Sequence, residues 1–358
     1  MPAIRSTADQ FTKLITAILE AGGSATAEAG LVADHLVQAN LAGHDSHGVG
    51  MIPSYVRHLK AGLVVPNTRA KTVKDDGAVL MFDGGRGYGR CVAGEAMAAG
   101  IARCRQTGVV ALTLANAHHI GRVGAYGELA SAAGLVSLHF MNVTDHRAIV
   151  APFRGTDARF VTNPVCIALP GTERQPPVLL DMATSAIAMG KVRVAKNEGH
   201  LVAEGILIDE RGRPTQDPNV MYRDPIGALL PFGGHKGYAL AFVTELLAGA
   251  LSGGPTIQPG NPRMGGTINN MFAVLLDPAR LAGVDWLRRE IDGFIDYVKA
   301  SPPADPAAPV LVPGDPERLA RAERSRAGIV VDATTWEEIL LAGEAMGLAR
   351  AQAQAITA

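Results

Sequence analysis

Cysteine is scarce in this chain. Cys91, Cys104 and Cys166 stand far apart with no CxxC pair, so neither a disulfide framework nor a thiolate zinc site is expected, and a reducing, cytoplasmic setting fits best. Charge of one sign is missing as well. A net charge of -1 gives no electrostatic footprint for nucleic acid. Nowhere does a run of about 18 apolar residues occur, which disfavours a membrane span. The opening residues, MPAIRSTADQFTKLI, lack a basic stretch followed by an apolar one, so secretion is not expected either. Also absent is a GxGxxG fingerprint after a strand. The nearest stretch, DGGRGYGR at 83–90, has the wrong spacing, and no Walker lysine loop is found. A dinucleotide, if bound, must rest on a scaffold other than the standard Rossmann turn.

The chain is instead rich in small and apolar residues. With 358 residues, 47% of them hydrophobic, and 41 glycines, it can bury a sizeable core in one or two domains. Thr7 is placed to cap a helix in which Phe11, Leu14, Ile15 and Ile18 recur at helical spacing, and GGS at 22–24 ends it. A second periodic run holds Leu31, Val32, Leu36 and Ala39. From about residue 71 to 280 strand-like and helical segments alternate: GVVALTLAN, RVGAYGELASAA, GLVSLHFMNV, VCIALP, PVLLDMA, GILID and FAVLLD. That alternation predicts an α/β layer structure. KGYALAFVTELLAGAL at 236–251 is apolar enough to predict a buried helix, and a Pro-rich connector at 301–319 interrupts the helical tail.

Four stretches carry candidate chemistry. In AGHDSHGVGMIPSY at 42–55, two histidines, an aspartate and a serine fall between His44 and His47, just past a helix end. His44 and His47 could chelate a metal with His118 or His119, but a zincin requires HExxH on a helix. Ser46 beside His47, with a remote Asp181, suggests a hydrolase, yet the GxSxG elbow is missing. A proton relay suits the motif better, because a histidine whose tautomer is fixed by a neighbour can give or take a proton. The bland alternative is that Asp45 and Ser46 only cap a polar turn. NAHHIGRVGAY at 116–126 offers glycines for close backbone approach to a ligand, and Arg122 for a phosphate or carboxylate. DMATSAIAMGKVR at 181–193 sets an acid at a strand end, and PFGGHKGYA at 231–239 sets Lys236 in a glycine-rich turn.

Taken together these stretches resemble the malate/L-lactate dehydrogenase family of NAD(P)-dependent oxidoreductases, which do not use the Rossmann fold. The likeness runs nearly the full chain and includes APFRGTDARFVTNP and VLVPGDPERLARAERSRAGI. It implies a three-layer α/β/α core with a mixed sheet. Residues 1–75 form a helical part carrying the GHDSHG motif, 76–280 the α/β cofactor- and substrate-binding domain, and 281–358 a helical part packing with the N-terminal helices. It implies a homodimer with the active site near the subunit interface. The implied chemistry is hydride transfer to a 2-oxo acid, with His47 as proton donor or acceptor. Ser46 and Asp181 set the position and charge of His47, and His119 lies beside the substrate.

NAD or NADP is then contacted by His47, Gly121, Arg122, Val123, the strand end Val178, Leu179, Leu180, Asp181 and Met182, the turn His235 and Lys236, Asn269, and Pro313, Gly314 and Asp315. No metal is implied. Many relatives have arginine after SHGV, a clamp for the substrate carboxylate; here Gly50 and Met51 follow Val49. His44, Arg122 and Arg147 are the candidates to replace it, and a bulky 2-oxo acid such as an arylpyruvate is the expected substrate. Three rivals are a reductase of cyclic imino acids, a metal-dependent hydrolase or lyase built on the histidines, and a non-catalytic dinucleotide-binding protein.

Overall fold

The computed structural model describes residues 3–357. After a short strand β1 (Ile4–Ser6), Thr7 opens α1 (Ala8–Ala21) with a capping box: its hydroxyl accepts from the Gln10 amide, while the Gln10 side chain reaches back to the Thr7 backbone. Phe11, Leu14, Ile15 and Ile18 are fully buried, as their spacing predicts. They pack against α2 (Thr26–Leu41), which runs into two short 3-10 turns, Asp45–His47 and Val49–Met51, and then α3 (Ile52–Lys60).

The central sheet begins with β2 (Lys71–Asp76) and β3 (Val79–Asp83), followed by α4 (Gly89–Thr107), β4 (Val109–His118), α5 (Gly124–Ala132) and β5 (Val136–Thr144). Then come β6 (Val165–Leu169), β7 (Val178–Met182) and α6 (Met189–Glu198). Three two-residue strands, β8 (Leu207–Ile208), β9 (Pro214–Thr215) and β10 (Ala228–Leu229), form a small separate sheet. The chain continues through α7 (His235–Ala248), β11 (Ile268–Leu276), α8 (Val284–Lys299) and α9 (Asp315–Ala327). It ends with β12 (Ile329–Val331), α10 (Ala333–Ala345) and α11 (Arg350–Thr357).

Seven strands join in the order β2-β3-β4-β11-β5-β6-β7. Only β3 and β4, linked by the α4 crossover, run parallel; every other pair is antiparallel. β11 arrives late in the chain and inserts between β4 and β5. Its alternate residues Met271, Ala273 and Leu275 enter the core under α4 and α5, while α7 lies against β5 and β11 on the opposite face. The glycine-rich stretch after β3 is stitched to β4, with Gly84 N donating to Ala115 O and Arg86 N to Asn116 O, both at 2.8 Å. These bonds shape the strand end.

One expectation needs correction. α7 is not buried all round: Ala241, Thr244, Glu245 and Ala248 pack inward, but Phe242, Val243 and Leu246 are each nearly half exposed. A single helix on one sheet face can bury only one stripe, so a helix apolar on all sides leaves the rest uncovered. β2 spans residue 75, and α8 packs its Ile291 and Ile295 near Leu169 and Val178 of the β6–β7 edge. α10 and α11 join α1, α2 and α3 in one core, and β1 pairs with β12, so the two ends of the chain meet.

Candidate active site

The motif after α2 is held on three sides. From α2, Asn40 donates to Asp45 Oδ1 at 2.6 Å and accepts from Val49 N at 2.7 Å, bracketing the segment that carries Ser46 and His47. From α9, Arg324 pairs with both Asp45 oxygens at 2.6 and 3.0 Å, and Glu317 lies 3.2 Å from His44 Nε2. From α6, Gly190 packs so closely that a Cβ there would lie 2.6 Å from the Ser46 Cβ. A side chain at 190 is excluded unless the helix moves.

Within this frame Ser46 Oγ lies 2.9 Å from His47 Nδ1, which leaves Nε2 as the free edge of the ring. The His47 and His119 rings stack at 5.5 Å between centroids, 16° from parallel. His119 follows β4 directly, and its Nδ1 lies 2.7 Å from the Tyr55 hydroxyl of α3. Burial pushes the phenol pKa well above its usual 10, so Tyr55 keeps its proton; when it donates that proton to His119 Nδ1, the ring's own N–H is on Nε2.

Charge is disfavoured throughout this cluster. Burial, with help from His44 and Arg122, pushes His47 down to about 4. The same cause takes His35 and His118 to about 3 and His119 well below the usual range. A histidine poised at neutrality is the expectation from its type; the enclosed site instead keeps the imidazole neutral. Asp181, at the end of β7, is raised by burial, against the pull of His44, Arg122 and the Gly124 amide, which donates to it at 2.9 Å.

Several of the expected ligand contacts have neighbours within the protein. Arg122 is 2% exposed, with its guanidinium 2.6 Å from Glu128 and 3.6 Å from Asp181. Burial works against its charge, yet these carboxylates hold its pKa above the usual value, while its three guanidinium nitrogens have no hydrogen-bond partner among the described residues. Asn269 is buried; it accepts from Ile120 N and donates to Asn142 O, both at 2.9 Å, and so fixes the backbone after β4. Asp315 is held by Val312 N, Lys299 and Arg318. Arg147 is exposed and lines a separate cavity of about 920 Å³ with Phe160, Phe242 and Arg263, away from the histidines.

The remaining segments converge on β7. Leu179 N donates to Pro313 O at 3.2 Å, which sets the Pro313–Gly314 turn beside the strand. Phe232 N donates to Thr184 O at 3.1 Å, bringing the turn before His235 and Lys236 to the strand end. Gly121, with φ of +76° and His35 against its Cα, turns the chain from His119 toward Val123 and Asp181. Val178, Leu180 and Met182 are half-buried on this edge. Asn40, Tyr55, Glu317 and Arg324 were not singled out by the sequence: the first two are ordinary helix residues there, and the other two lie about 270 positions from their partners. Among the described residues no group of three or more His, Cys, Asp or Glu side chains is placed to hold a metal.

The family model for malate/L-lactate dehydrogenase matches residues 6–340. Hydroxycarboxylate dehydrogenase B of Escherichia coli is 46% identical over 353 residues, covering 98% of this chain and 97% of that protein. An L-lactate dehydrogenase of Cupriavidus necator is 49% identical over 294 residues, 82% of this chain and 84% of its own. The sulfolactate dehydrogenase structure from Methanocaldococcus jannaschii superimposes with a TM-score of 0.84 at 31% identity, covering 97% of this chain and 99% of that one.

Proposed function

The chain belongs to the malate/L-lactate dehydrogenase family, and from that premise we propose that it interconverts 2-hydroxy and 2-oxo acids with His47 as the proton-transferring group. It is an oxidoreductase acting on CH–OH, and its family implies a nicotinamide cofactor. The carrying observation is the Ser46–His47 contact at 2.9 Å beside the stacked His119. It leaves His47 Nε2 free to serve a substrate oxygen, with a second ring edge alongside.

The residues around β7 suit a dinucleotide. Gly233 and Gly234 both have positive φ before the start of α7, and the exposed Lys236 forms no ion pair among the described residues, which offers a cationic, backbone-lined end for phosphates. Gly121 to Val123, Val178 to Met182 and the Pro313–Gly314 turn would hold the remainder. When bound, the nicotinamide supplies or accepts the hydride. The protein's part is to orient the substrate and manage one proton. In oxidation the neutral His47 takes the hydroxyl proton; in reduction the protonated His47 returns it to the carbonyl oxygen. His119 donates from Nε2 to the same oxygen, and Asp181, balanced by Arg122, tunes the field at the ring.

An arylpyruvate-like substrate, a cytoplasmic setting and a homodimer are parts of the same proposal. The uncovered apolar face of α7, which begins at the proposed cofactor turn, supports pairing with a second copy of the chain. The test is to follow reduced-nicotinamide absorbance with NADH and NADPH in turn, against phenylpyruvate, hydroxyphenylpyruvate, oxaloacetate, pyruvate, 2-oxoglutarate and a cyclic imino acid. Oxidation with open 2-oxo acids is expected, fastest with the aryl ones. Turnover of the imine alone would move the chain to amine-forming reduction, and activity lost to a chelator without need of nicotinamide would make it a metal enzyme.

A further inference from the structure

A 2-oxo acid needs a cation for its carboxylate close to the proton donor, and the cations expected for this task each have an acidic neighbour or lie in another cavity. Arg122 lies against Glu128 and Asp181, His44 against Glu317, and Arg147 lines a different cavity. One further guanidinium reaches the motif. Arg193 sits on α6 three residues after Gly190, so both lie on the same face of the helix. That face packs Gly190 onto Ser46, and it brings Arg193 Nη2 to 3.7 Å from the place a Cβ on Gly50 would occupy. The two glycines do complementary jobs: Gly190 lets the helix approach, and Gly50 leaves the guanidinium room.

Arg193 is half-buried and forms no ion pair within 4 Å among the described residues. The groups that feel its charge are Asp332 and Tyr222. Asp332 is occupied as the cap of α10, accepting from Thr335 N at 3.0 Å, and Tyr222 is a neutral phenol beneath Lys196. A half-buried guanidinium with no carboxylate of its own is costly to keep unless a ligand supplies one, and its planar fork matches a carboxylate with two parallel bonds.

We propose that Arg193 binds the substrate carboxylate, fixing the 2-oxo acid so that its carbonyl oxygen faces His47. This rests on the reading of the chain as a 2-oxo acid reductase. The test compares wild type, Arg193→Lys and Arg193→Met for KM and kcat with the best 2-oxo acid and with its amide, alongside cofactor affinity from fluorescence. For Arg193→Met, KM for the acid is expected to rise on the order of 100-fold, with kcat lowered as well through lost orientation and cofactor affinity within a few-fold of wild type. The preference for acid over amide should collapse, and added guanidinium should restore part of it. Arg193→Lys keeps the charge without the fork and should fall between.

An unchanged KM, equal losses for acid and amide, or weakened cofactor binding in its place would overturn the assignment. Should the Met variant fail to fold, a Lys variant with wild-type KM overturns it equally. If wild type reduces no 2-oxo acid, the underlying reading fails and this assignment with it; if wild type does so and Arg193→Met matches it, only this assignment falls.

Discussion

At the scale of the residue, what matters most is a histidine held neutral. With His47 near 4, the base form dominates at neutrality. If it is the proton-transferring group, kcat/KM for hydroxy-acid oxidation should be flat above about pH 5 and fall about tenfold per unit below 4. For oxo-acid reduction, which needs the protonated ring, kcat/KM should decline as pH rises above about 4. A pair of pH profiles checks both, and parallel profiles in the two directions would remove His47 from the role. His47→Ala should lower turnover by about 10² to 10⁴ while cofactor binding persists; single-turnover kinetics with a fluorescence titration separate the two effects. The kinds of residue at the site were legible in the sequence, because HDSH, HHIGR and DMATS each cluster polar groups at element ends. Their partners were not. Arg122, Asn269 and Asp315 carry the right chemistry for a ligand, and only the fold shows Glu128, Ile120 or Lys299 lying against them.

At the scale of the element, the motif is a short irregular turn that cannot hold its own shape; α2, α6 and α9 hold it from outside. Asn40→Ala strands the Val49 amide and loosens Asp45, so it should cost about 1–3 kcal/mol in denaturant unfolding and lower kcat more than it raises KM. Gly190→Val drives a branched side chain into Ser46. Activity should drop at least tenfold with the circular dichroism spectrum unchanged; full activity would show that α6 shifts freely. The helices and most strands were legible from periodicity: Phe11 to Ile18 gave a helical stripe, and the segments around 109–118 and 136–144 gave buried strands. The sheet order was not, because β11 pairs with β4 across some 150 residues and no local pattern records that neighbour. α7 was misjudged for a related reason: an all-apolar helix announces burial but not what covers its second face.

At the scale of the whole molecule, three buried histidines and the half-buried His47 tie stability to pH. His35 and His118 near 3, and His47 and His139 near 4, stay neutral in the fold, whereas the unfolded chain takes up protons from about 6.5 downward. Their folded pKa values are depressed, so stability is complete above pH 6.5 and is lost as pH falls toward 4. The loss is roughly 1.4 kcal/mol per pH unit for each histidine. The urea midpoint should therefore be clearly lower at pH 5 than at pH 7; equal midpoints would mean the rings are not shielded as described. Pairing through α7 predicts a dimer mass by light scattering that Phe242→Glu with Leu246→Glu reduces to a monomer. Finally, the Asp45–Arg324 contact joins residues 279 positions apart, which sets a timetable for synthesis. A ribosome delivers the histidine motif early and the helix that braces it near the end, so the nascent chain carries an unbraced motif for most of its elongation. The turn takes its final shape late and all at once, after the central sheet has already emerged.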